Sequence, residues 1–119
     1  MKTVNEVCKT AGVTRKTLYY YDKIDLLKPV KRSGKQKAKL YNDSAVDTLK
    51  TIKLYQEAGL RLSEVRTIIN QPEKTIGILL DVQKRLFEQK QILGDQIILL
   101  TKLIEEEKIT NKNVLSDNQ

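Results

Sequence analysis

Between residues 76 and 104 one position recurs every three and then every four residues. The series is Ile76, Leu79, Gln83, Leu86, Lys90, Leu93, Ile97, Leu100 and Ile104, and seven of the nine are apolar. Such spacing predicts a single helix carrying a heptad seam through four repeats. A helix over 74–107, about 34 residues, extends about 50 Å at 1.5 Å per residue. That is more length than the modest core of a 119-residue chain can cover. No second long helix exists in the chain to receive it. The seam residues Ile76, Leu79, Leu86, Leu93, Ile97, Leu100 and Ile104 are therefore expected to pack against a second copy. Gln83 and Lys90 would help to fix register and orientation. Leu80, Val82, Phe87, Ile98, Leu99 and Leu103 flank the seam and widen the stripe. Gly94 costs about 1 kcal/mol against Ala in a helix interior; it either permits close helix approach or bends the helix.

The rest of the chain carries a different signal. Residues 1–41 hold 11 Lys+Arg against 3 acids, a balance of +8, while residues 42–119 hold 11 against 12, a balance of −1. The whole excess of +7 thus belongs to the first third, which also holds four of the five tyrosines: Tyr19, Tyr20, Tyr21 and Tyr41. A basic segment interleaved with tyrosines suits an anionic partner, because a phenol can donate to a phosphate and lie along a sugar.

Composition also excludes whole classes. The chain has no histidine, so it offers no Ser-His or Cys-His pair and no imidazole metal site. Cys8 is the sole cysteine, which excludes an internal disulfide, a CxxC motif and a cysteine-held cluster; it reads as a small buried residue. The five glycines stand at least 17 residues apart, so no phosphate-binding glycine loop can be written. No enzyme, cofactor or metal is expected. No apolar run is long enough to span a bilayer, and the first residues lack the apolar core of a signal peptide. A single cysteine and no export signal suit the cytoplasm.

Read from the front, Thr3-Val4-Asn5-Glu6 fits a capping box, and Val4, Val7, Cys8 and Ala11 follow at helical spacing. The first helix is expected over about 4–10. Gly12 can end it with a positive φ, and Thr14 can cap a second helix running to about Tyr21. In that helix Leu18 and Tyr21 are expected to face inward, while Arg15, Lys16 and Tyr19 or Tyr20 face out. Two short helices joined by a glycine-containing turn form a helix-turn-helix, and the start of the second helix can reach base edges in a major groove. From Lys31 to Lys39, six of nine residues are basic or glycine. Pro29-Val30-Lys31 and Ala38-Lys39-Leu40-Tyr41 are expected to form two short strands, with the turn at Ser33-Gly34. This basic hairpin makes a wing, and the alternative is an irregular lysine loop. Asn42 or Asp43 is expected to cap a helix over 43–58 that stops at Gly59. A further helix is expected over 62–70, closed by Pro72. Residues 108–119 are polar and expected to fray.

This order of elements resembles the MerR family of bacterial transcriptional regulators. Gly12-Val13-Thr14-Arg15-Lys16-Thr17-Leu18-Tyr19-Tyr20-Tyr21-Asp22 resembles the recognition-helix stretch of that family, and Leu26-Leu27-Lys28-Pro29 the approach to its wing. Lys39-Leu40-Tyr41-Asn42 resembles the close of the wing, and Glu57-Ala58-Gly59-Leu60 with Glu64-Val65-Arg66 the second helix pair. The chain departs from the pattern at Tyr19, where the family has arginine, at Gln36-Lys37-Ala38-Lys39 in the wing, and at Arg61, where a serine usually caps the fourth helix. In place of that serine, Ser63 is the expected cap.

The resemblance implies a mainly α fold. A winged helix-turn-helix domain over 1–71 is followed by an antiparallel dimeric coiled-coil helix over 72–107 and a polar tail over 108–119. It implies a homodimer on a palindromic promoter operator in double-stranded DNA, distorting the duplex and so acting on RNA polymerase indirectly. DNA contacts are expected from Thr14, Arg15, Lys16, Tyr19, Tyr20, Arg32, Lys35, Lys37, Lys39 and Tyr41. The missing cysteines also argue against the thiolate-metal and iron-sulfur branches of that family. An excisionase-like architectural protein shares the winged core but lacks a long dimerisation helix. A protein-binding adaptor would use the coiled coil alone, with its lysines serving solubility.

Overall fold

The computed structural model describes residues 1–34 and 38–117, with the side chains of Ser33 and of 112–117 outside that description. The chain divides into two compact units, Met1–Leu79 and Leu80–Gln119.

In the first unit, a two-residue strand β1 (Lys2–Thr3) leads directly into helix α1 (Val4–Ala11). Thr3 caps α1 reciprocally: its Oγ1 accepts the Glu6 N–H at 3.2 Å, and Glu6 Oε1 accepts the Thr3 N–H at 3.3 Å. Gly12 closes the helix at φ 70°, a left-handed geometry that costs a side-chain-bearing residue, and its N–H donates to the Cys8 carbonyl at 3.0 Å. Helix α2 (Arg15–Lys23) follows, with the Thr17 N–H donating to Thr14 Oγ1 at 3.1 Å. It runs two residues beyond the expected end at Tyr21. The chain then turns sharply through Asp25 at φ 60°, and the Leu26 and Leu27 N–H groups both donate back to the Tyr21 carbonyl.

The wing consists of β2 (Lys31–Ser33) and β3 (Ala38–Tyr41), paired antiparallel with Arg32 opposite Lys39. Unexpectedly, it is not a two-stranded appendage. β1 adds to the other side of β3, with Lys2 opposite Tyr41, so the sheet has three strands in the order β1-β3-β2.

Helix α3 (Ala45–Glu57) starts two residues later than the expected 43, because Asn42 does not cap it. Asn42 Oδ1 instead accepts the Ser44 N–H at 3.0 Å, which makes a side-chain turn ahead of the helix. Helix α4 (Leu62–Asn70) is preceded by Arg61 in extended geometry, and the Arg61 N–H donates to Glu64 Oε1 at 2.8 Å. The expected cap at Ser63 is overturned, since Ser63 lies inside the first turn. A short 3-10 turn (Pro72–Lys74) joins α4 to helix α5 (Thr75–Asp117).

The core of this unit gathers one face from each helix. Val7, Leu18, Tyr41, Leu49, Ile52 and Val65 are all at most 3% exposed. Each such apolar side chain contributes about 1.5–3 kcal/mol on burial.

In the second unit, α5 continues as one helix through Asp117, where fraying was expected from 108 onward. Its 43 residues would measure about 65 Å. Leu86, Leu93, Ile97, Leu100 and Ile104, the seam of this unit, are 42–62% exposed in the single chain. Among the described residues no helix is long and apolar enough to cross a membrane.

Candidate nucleic-acid interface

The face formed by α2 and the wing carries most of the expected contacts. Thr14, Arg15, Lys16, Tyr19 and Tyr20 are all exposed along α2. A helix places successive turns on one side, so Arg15 and Tyr19, four residues apart, share a stripe beside β3. Arg15 is steadied from α1, since its Nη2 donates to Asn5 Oδ1. Thr14 is exposed, but its oxygen is already engaged in capping, and its hydroxyl donates to Thr17 Oγ1 at 3.0 Å.

Between α1, α2 and β3 lies an open cleft of about 540 Å³, lined by Thr3, Val4, Asn5, Arg15, Tyr19, Ala38, Lys39 and Leu40. Its two cations, Arg15 and Lys39, belong to different elements. The Lys39 Nζ sits 4.4 Å from the centroid of the Tyr19 ring, within cation–π range. Tyr19, standing where the resembled pattern has an arginine, thus supplies a π face to a wing lysine.

The connection between wing and helix runs through Asp22, whose side chain is only 8% exposed. Asp22 Oδ2 takes Lys39 Nζ at 2.9 Å and Arg32 Nη2 at 3.1 Å, and Oδ1 takes Lys28 Nζ at 3.3 Å. Burial by itself raises this carboxyl's pKa. Hydrogen bonds from Lys39, then Arg32, then Lys28 more than offset that, and hold it at about 2. Lys28 also reaches Asp25 at 2.9 Å, and these two carboxylates, Asp25 first, push its ammonium above the usual lysine range.

Tyr41 corrects the expectation of a DNA contact. It is fully buried, so it cannot touch a duplex. Its hydroxyl has no hydrogen-bond partner among the described residues. Burial, and then the nearby Asp22 charge, push the phenol up to about 12. Successive side chains of a strand point to opposite faces of its sheet, and Tyr41 lies on the face that packs into the domain. Lys35 and Lys37 lie outside the described residues.

Four residues escaped the sequence reading. Asn5 steadies Arg15, and Asp22 and Lys28 join the helix to the wing. The fourth, Arg66, donates from α4 to the Ile24 carbonyl at 3.2 Å. Arg66 lines a smaller cleft of about 170 Å³ with Tyr20, Ile24, Leu62 and Ser63. Asp22 had a visible signal, an acid directly after three tyrosines in a basic segment. Its partners at 28, 32 and 39 share no periodicity with it, so no pattern joins them before the wing folds.

A helix pair with an outward basic second helix, flanked by a basic strand pair, defines the winged helix-turn-helix class. The particular family follows from comparison with known proteins. The profile of the MerR HTH family regulatory protein matches residues 2–72, and the chain belongs to that family. The chain is 30% identical over 95 residues to the HTH-type transcriptional activator mta of Bacillus subtilis, a match spanning 80% of this chain and 37% of mta. It is 35% identical over 101 residues to the HTH-type transcriptional activator TipA of Streptomyces coelicolor, spanning 85% of this chain and 37% of TipA. The crystal structure of MtaN, the N-terminus of the Bacillus subtilis multidrug transporter activator, superposes with a TM-score of 0.77 at 27% identity. That superposition covers 87% of this chain and 98% of MtaN. The chain therefore spans little more than a third of the length of these two full-length activators.

Proposed function

We propose that this chain is a DNA-binding transcriptional regulator that binds a palindromic promoter operator as a homodimer. The observation that carries this reading is the joint face of α2 and the wing, where Arg15, Lys16, Tyr19 and Tyr20 stand exposed beside Lys39. Arg15 and Lys16 lie in the first turn of α2, the part of a recognition helix that reaches base edges in the major groove. Wing cations contact phosphates, which fixes register without reading sequence. Two such heads, held apart by paired α5 helices through Leu86, Leu93, Ile97, Leu100 and Ile104, would engage two half-sites. Bending and untwisting the duplex between them would change how RNA polymerase engages the promoter elements, with the deformation offset by contacts that the bent duplex permits. Activators among the relatives, mta and TipA by their names, support a regulatory role at promoters. The absence of a bilayer-spanning helix among the described residues is compatible with a cytoplasmic site of action.

Selection of duplexes from a random pool, followed by footprinting, tests this reading. Recovery of a palindrome whose half-sites are both protected supports it. Failure to retard any duplex at low salt overturns it in favour of a protein-binding adaptor. A monomer at micromolar concentration that still binds DNA would instead favour an excisionase-like architectural role.

A further inference from the structure

Arg32 and Lys39 are direct cross-strand partners in the wing. Two like charges at such a position repel and destabilise a strand pair. The wing tolerates them because a single carboxylate from a different element sits against both: Asp22 Oδ2 lies 3.1 Å from Arg32 Nη2 and 2.9 Å from Lys39 Nζ. The same group takes Lys28 from the segment that enters the wing. Asp22 thus touches the helix-to-wing segment and both wing strands while belonging to the recognition helix itself. Asp22 itself is only 5% exposed.

Lys39 and Arg32 are also cations that a phosphate would attract. Phosphate and Asp22 therefore compete for the same two groups. We propose that Asp22 is a specificity-determining positioning residue, which restrains the wing cations from indiscriminate phosphate contact and fixes the wing at one angle to the recognition helix. This rests on the reading of the head as DNA-binding. Held by Asp22, the two cations meet phosphates only where the backbone passes at the spacing set by base contacts from α2. Released, they can reach out toward any duplex.

The consequence runs opposite to that of ordinary damage. Asp22→Asn adds one net positive charge at the interface and frees Arg32 and Lys39. It should bind a random-sequence 30-base-pair duplex at least as tightly as the unmodified protein. Its plot of log affinity against log salt should be steeper by about one phosphate contact. Its preference for a duplex enriched by the unmodified protein from a random pool should fall by about tenfold or more. Asp22→Glu, which keeps the charge, should restore most of that preference.

Fluorescence anisotropy on both duplexes over a range of salt concentrations measures all three quantities. Loss of affinity for both duplexes in equal proportion, or an unchanged preference, overturns the proposal. If thermal melting shows Asp22→Asn to be unfolded, Lys39→Gln in the otherwise native chain decides. Restrained by Asp22, Lys39 adds little on random DNA, so its loss should flatten the salt slope by clearly less than one contact. A full unit of slope lost there overturns the proposal. If the unmodified protein binds no duplex at all, it is the DNA-binding reading that fails.

Discussion

The ammonium of Lys39 stands 4.4 Å above the ring of Tyr19, so a wing strand and helix α2 touch through a cation and an aromatic face. At a part-exposed site such a contact contributes about 0.5–1 kcal/mol. Tyr19→Phe keeps the ring and should leave both melting temperature and DNA affinity close to native. Tyr19→Ala should lower the melting temperature by a few degrees and weaken DNA binding. Equal losses from the two substitutions, in thermal melting and anisotropy, would show that the hydroxyl rather than the ring matters.

Arg15 and Lys16 open α2 and are exposed, as base-reading residues need to be. Arg15→Ala should cost about 1–3 kcal/mol on the selected duplex and much less on random DNA. Lys16→Ala should show the same pattern with a smaller amplitude. If both substitutions weaken both duplexes equally, the two residues hold phosphates and do not read bases.

Tyr41 offers a test with the opposite expectation. Its buried hydroxyl has no partner among the described residues, so Tyr41→Phe removes a desolvated polar group at no cost in packing. Stability in urea should stay within about 1 kcal/mol of native or rise, and DNA affinity should not change. A marked fall in DNA binding by a folded Tyr41→Phe protein would contradict the buried placement.

Acid should weaken the head through Asp22. Its carboxyl titrates near 3.8 in the unfolded chain and at about 2 in the folded one. A folded-state value below the unfolded one stabilises at pH values above about 4, and that stabilisation is lost as pH falls from about 4 through about 2. At about 1.4 kcal/mol per unit, the contribution amounts to roughly 2 kcal/mol. Urea melts of native and Asp22→Asn protein should therefore differ at pH 6 and converge toward pH 2. A gap that stays constant with pH would place the effect of the substitution elsewhere.

The exposed seam of α5 should hold two copies together. Ile97→Glu puts a charge at its apolar centre and should shift the protein to monomer in sedimentation velocity. The head should keep its fold, since its core draws on residues of the first unit. DNA affinity should drop steeply because one head alone engages one half-site. An unchanged sedimentation coefficient would show that a different surface joins the copies.

Periodicity revealed much of this molecule before any coordinates. The heptads from Ile76 to Ile104 announced α5, Gly12 and Thr14 bounded the turn between α1 and α2, and Leu62–Asn70 appeared with its ends in place. These are local signals, carried by residues within a turn or two of each other. What stayed hidden depends on contacts between distant residues. β1 is two residues long and has no pattern of its own; it exists because β3 offers it a free edge. Tyr41 looked like an interface tyrosine because its neighbours are basic, and only the packing of the sheet onto the helices shows that its face is the buried one. Asp22 counted as one acid among many cations until the fold brought Lys28, Arg32 and Lys39 to it.

The pairing of Lys2 with Tyr41 also bears on how the head comes to be made. The two partners stand 39 residues apart in sequence, and both α1 and α2 lie between them. The helices, whose contacts are local, can form early, and the sheet must then close a loop that encloses both of them. The β1–β3 pairing is the least local contact of the sheet and should form after the helices and the hairpin, tying the front of the chain to the wing as it does so.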